Sequence, residues 1–67
     1  MKANLLYGLR KVRTEKGLTT AYMAKQLYVE VTTYRKWERC EQAPSTRDDV
    51  RRLQVLLGVS LQTLMAK

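Results

Sequence analysis

The stretch from Thr20 to Arg39, T-A-Y-M-A-K-Q-L-Y-V-E-V-T-T-Y-R-K-W-E-R, constrains this chain most. Met23, Ala24 and Leu27 fall at i, i+1 and i+4, one face of a short helix. Tyr34 and Trp37, three apart, mark the buried face of a second. Tyr28, Val29 and Glu30 lie between them, room only for a tight turn. Two short helices so joined have the geometry of a helix-turn-helix, and the small Ala24 lets their axes cross closely. The outer face of the second helix then carries Val31, Thr32, Arg35, Lys36 and Arg39. Methyls, a hydroxyl and long cations match the thymine methyls, base acceptors and phosphates of a major groove.

Punctuation divides the rest of the chain into further helices. Asn4 is expected to cap a first helix running to about Lys16, with Leu5, Leu6, Leu9 and Val12 as its apolar stripe. Gly8 would interrupt that helix and weaken it by roughly 1 kcal/mol relative to Ala, and Gly17 would end it. Leu18 precedes the cap Thr19, helix two runs from about Thr20 to Leu27, and helix three from about Val31 to Arg39. Cys40 to Pro44 reads as a loop, because a proline disfavours helix at the residue before it. Ser45 or Thr46 caps helix four, with Asp48 and Asp49 in its first turn and Val50, Leu53, Leu56 and Leu57 on its buried side. Gly58 ends it, and Ser60 caps a last short helix whose Leu61, Leu64 and Met65 close the core. The expectation is an all-α, five-helix domain filling residues 1–67.

Composition narrows the function. The chain has 67 residues, one cysteine, no histidine and a net charge of +7. A single small core gives a thin stability margin. Cys40 alone can build neither an intramolecular disulfide nor a zinc cluster, and a reducing cytoplasm is the expected compartment. Residues 1–39 hold nine Lys/Arg against three acids, and residues 40–67 four against three, so the basic excess sits with the two-helix unit. No catalytic constellation is visible: His is absent, six acids are scattered, and no Gly-rich phosphate loop occurs. No metal and no cofactor are expected. The broken apolar run at the N-terminus is no signal peptide, and no run of about 18 apolar residues could span a membrane. A membrane-surface role for Val50–Met65, with Arg51 and Arg52 on its polar side, fits the capped and glycine-interrupted pattern less well than a bundle core.

Five motifs occur in order: L-R-x-x-R-x-x-K-G-L-T (Leu9 to Thr19), M-A-x-x-L (Met23 to Leu27), W-E-R (Trp37 to Arg39), P-S (Pro44, Ser45) and L-G-V-S-L (Leu57 to Leu61). In this the chain resembles the phage repressor and Cro-like helix-turn-helix regulators, also called the xenobiotic-response-element family, over about residues 5–65. The resemblance implies a five-helix repressor-like DNA-binding domain acting on double-stranded operator DNA, usually as a dimer, with the third helix in the major groove. Matched position by position, it implies base contacts by Val31, Thr32, Arg35 and Lys36, with Arg35 able to reach a base or a phosphate. It implies phosphate contacts by Thr20, through its hydroxyl and amide, and by Arg10, Lys25 and Arg39. Arg13 and Glu38 match a structural pair joining helix one to helix three, and Trp37 a core position.

Three positions depart from the family's habit: Thr20 stands where relatives carry Gln, and Tyr28 and Cys40 where they carry Gly. If either of the last two needs positive φ, strain of order 1 kcal/mol is expected. The segment Pro44 to Gly58 is one residue longer than usual, so the loop before helix four should differ.

A small phage- or mobile-element-type repressor follows from the resemblance, acting in a bacterial or phage-infected cytoplasm as a weak homodimer. Leu56, Leu61 and Met65 are its candidate contacts if they are not simply core. The main rival is a partner-binding or antitoxin-like protein-interaction module on the same fold. Val31, Thr32, Arg35, Lys36 and Arg39 favour DNA, whereas Glu30 at the helix start would repel phosphates.

Overall fold

The computed structural model describes residues 5–66. Five helices follow one another with short connections: α1 (Leu9–Glu15), α2 (Thr20–Leu27), α3 (Val31–Glu38), α4 (Arg47–Leu57) and α5 (Leu61–Met65). The described residues contain no strand.

One apolar cluster holds them together: Leu6, Leu9 and Val12 from the N-terminal segment and α1, Met23, Ala24 and Leu27 from α2, Tyr34 and Trp37 from α3, Leu53 and Leu57 from α4, and Leu64 from α5. The two rings of α3 meet edge to face, centroids 6.2 Å apart. α2 packs most extensively on α3, where the buried Ala24 lets the backbones approach, and α4 also packs on α2.

The helix starts follow from their caps. The side chains of Thr19, Thr46 and Ser60 accept the amide hydrogens of Tyr22, Asp49 and Thr63, so each satisfies an N–H that the helix cannot. Thr46, and not Ser45, caps α4. Gly17 takes the left-handed turn after α1 at φ +71°, and Gly58 the one after α4 at φ +66°.

The N-terminal segment departs from the expectation. α1 begins at Leu9, so Leu5 and Leu6 precede it, and Gly8 is its N-cap residue rather than an interior one. The expected cap Asn4 lies outside the described residues. The reason is tertiary. The Gly8 amide donates to the Leu64 carbonyl at 2.7 Å. A Cβ at Gly8 would stand 2.7 Å from the Thr63 oxygen and 2.8 Å from that of Ala66. The glycine is needed where the start of α1 meets the carbonyl end of α5.

Two further points correct the sequence reading. Met65 is 37% exposed, so Leu64 closes the core, with the half-buried Leu61 beside it. A tyrosine in a core commonly keeps its hydroxyl at the edge, yet here the whole of Tyr34 is buried and its oxygen forms no well-shaped hydrogen bond. That burial, with the Glu38 carboxylate nearby, pushes its phenol well above the usual tyrosine range.

Candidate nucleic-acid interface

Along an α-helix each residue turns about 100°, so Val31, Thr32, Arg35, Lys36 and Arg39 span an arc of roughly 140° opposite Tyr34 and Trp37. The core takes the aromatic pair, which forces the other face outward. Thr32, Arg35, Lys36 and Arg39 are exposed, whereas Val31 is half-buried and packs against the core with only part of its isopropyl group open.

A second element stands behind this face. Arg10, Arg13, Arg35, Glu38 and Arg39 line a shallow hollow between α1 and α3. Its floor is a bidentate ion pair: Arg13 donates from Nε to Glu38 Oε2 at 2.5 Å and from Nη2 to Oε1 at 3.3 Å. A third donation, from Nη1 to the Leu18 carbonyl at 2.6 Å, ties the α1–α2 connection to the same guanidinium. The Glu38 hydrogen bond raises the Arg13 pKa further above its ordinary value. With Arg13 neutralised in place, Arg10 and Arg35 remain to give the hollow its positive character.

Arg39 is less free than its position implies. Its Nε lies 2.8 Å from Glu41 Oε2, with side chains 59% and 54% exposed. The left-handed Cys40, φ +58°, folds the loop back and brings Glu41 to Arg39. Such an exposed pair is weak and screened, so a phosphate can displace the carboxylate. Sequence reasoning missed this partner, because neighbours two apart on a helix do not meet; only the reversal at Cys40 makes the contact.

The N-terminus of α2 forms a third part. Thr19 uses its side chain on Tyr22, leaving the first amides of the helix, including that of Thr20, without an intrahelical acceptor. No acid occupies the first turn of α2, whereas Asp48 and Asp49 occupy that of α4. The positive end of the α2 dipole is therefore uncompensated and suited to an anion. Thr20 is half-buried there. Lys25 is exposed but belongs to the last turn of α2, about 7–8 Å along the axis from Thr20. Neither lines the arginine hollow. The structure thus gathers Arg10, Arg35 and Arg39 around the Arg13–Glu38 pair and leaves Thr20 and Lys25 on a separate helix.

Thr33, half-buried in the first turn of α3, was also not singled out from the sequence. Its place one residue beyond Thr32 was the available signal.

A family model described as a helix-turn-helix matches residues 9–64, nearly all of the described chain. The chain belongs to the Cro-like helix-turn-helix family. Within that family, α2, the turn at Tyr28 and α3 are the helix-turn-helix itself, and α1, α4 and α5 its support. A helix-turn-helix protein of this kind is a DNA-binding transcriptional regulator, and the family is generally non-enzymatic. No curated protein and no solved structure matches the chain. Among the described residues, no helix is long and apolar enough to cross a membrane, and no three acids or cysteines group as a metal site would need.

Proposed function

We propose that this helix-turn-helix protein is a sequence-specific repressor of Cro-like size that occupies a promoter-overlapping operator with α3 in the major groove. The observation that carries the reading is the exposed cationic face of α3, held outward by the burial of Tyr34 and Trp37. Thr32 and the open part of Val31 meet base edges and thymine methyls, while Arg35 or Lys36 pairs with guanine O6 and N7. The Thr20 amide, Arg10, Lys25 and Arg39 hold phosphates and fix the register. Binding is as a weak homodimer on a palindromic site with half-sites about one helical turn apart. Leu56, Leu61 and Met65 are the apolar groups offered for the self-contact, Leu56 and Leu61 being half-buried and Met65 partly exposed.

Selection of sites from a random duplex pool tests the reading. It should return one palindromic motif. On that motif, Arg35→Ala should narrow the gap between specific and random DNA by roughly 1–3 kcal/mol. Affinity for random duplex should fall with salt at a log–log slope of about −4 to −8. A flat salt response with no enriched motif overturns the reading in favour of a protein-interaction module.

A further inference from the structure

A second surface lies where the C-terminal end of α2 meets α4. Gln26, Tyr28, Arg51, Arg52, Val55 and Leu56 line an open hollow there. Tyr28 is 82% exposed and Val55 is 77% exposed. Arg52 sits over the Tyr28 ring, 5.4 Å from its centroid, and also approaches Asp49 at 3.9 Å. Arg51 has no ion-pair partner among the described residues.

Tyr28 is an odd residue to find here. Its φ of +59° is a conformation that glycine adopts at no steric penalty and tyrosine does not. Its ring covers no core, since nearly all of it faces solvent. A strained backbone that presents an aromatic ring beside an exposed valine and two guanidinium groups contributes little to folding, and points to binding.

The chemistry of the hollow selects its occupant. The exposed Val55 beside the Tyr28 ring favours an apolar side chain over a bare sugar–phosphate chain. Arg51 and Arg52 in the same lining pair with anionic groups, which an acidic peptide supplies as carboxylates. A second copy of this chain packed on this hollow face to face would set Arg51 and Arg52 against their own equivalents. We propose that this face docks an acidic segment of another protein, one carrying an apolar side chain between its carboxylates. The hollow shares no lining residue with the arginine hollow between α1 and α3.

The test is an NMR titration of the ¹⁵N-labelled full chain with the capped hexapeptide Asp-Asp-Leu-Asp-Asp-Leu. Leu56 is shared with the proposed self-contact, so Tyr28→Gly and Val55→Ser are the variants used. Expected are shifts at Tyr28, Arg51, Arg52 and Val55, weakened about fivefold or more by either substitution and by exchanging the peptide's leucines for serine. Tyr28→Gly should keep the full fold, because glycine relaxes the turn, and Val55→Ser should keep wild-type affinity for duplex DNA. Shifts confined to Arg10, Arg35, Lys36 and Arg39 would mean that the peptide only imitates DNA, and would overturn the proposal. Shifts of the hollow's amides with protein concentration alone would overturn it in favour of a second copy. Saturating peptide without any shift at the hollow would overturn it outright.

Discussion

α2 and α4 end in the same backbone shape with different residues. Tyr28 follows α2 at φ +59°, ψ +40°, and Gly58 follows α4 at φ +66°, ψ +33°. The next amide folds back identically: Val29 donates to the Ala24 carbonyl at 3.0 Å, and Val59 to that of Gln54 at 3.2 Å. Both turns satisfy the last carbonyls of a helix, the usual reason for the left-handed residue. Gly58 does so without strain. Tyr28 does so against the steric preference of its own Cβ, and Cys40 repeats the feat after α3 at φ +58°. The contrast teaches that the helix ends set the backbone, while the residue there can be chosen for something else, provided the flanking burial holds the turn.

The largest way to break that comparison is to remove the burial. Trp37 is 2% exposed and anchors the helix that follows the Tyr28 turn. Trp37→Ala should cost about 3–5 kcal/mol in urea unfolding and abolish the folded state at 37 °C. A variant that keeps its helical circular dichroism and cooperative melt would show that the strained turn is not held by this core.

Gly8→Ala separates room from φ. Gly8 has an ordinary φ of −96°, so its requirement is space and not handedness. The added methyl meets backbone oxygens that cannot swing aside, and the cost should be about 1–3 kcal/mol. A gain in stability, as for a glycine inside an exposed helix, would mean that the contact with α5 is loose.

The smallest effects test the comparison most directly. Gly58→Ala should lose about 1 kcal/mol through conformation alone, since nothing stands within 4 Å of the new Cβ. Tyr28→Gly should gain about 1 kcal/mol by the same argument reversed. Equal signs in thermal melts of the two variants would refute the contrast.

These residues also mark how far the sequence can be read. α2 is recovered to the residue, and α3, α4 and α5 nearly so: Thr19, Thr46, Gly58 and Ser60 mark ends locally, whereas the turn from Tyr28 to Glu30 shows only as the gap between two apolar faces. The start of α1 is not. Leu5, Leu6, Leu9 and Val12 have helical spacing whether or not the first two are helical, and what decides is a hydrogen bond to Leu64, 56 positions away. The candidate interface divides in the same way. Side chains that face outward from α3 follow from the buried pair Tyr34 and Trp37. The convergence of Arg10 with Arg35, and of Arg39 with Glu41, depends on how α1 and the Cys40 turn lie against α3, which no local pattern encodes.

The clasp between Gly8 and α5 makes the molecule a closed ring whose first and last described segments touch. Dyes attached at Tyr7 and Ala66 would begin almost in contact and fly apart on melting, a built-in ruler for single-molecule work. Stretching the chain from those two points would load this one seam before any interior helix pair, so mechanical failure should start there and then run inward.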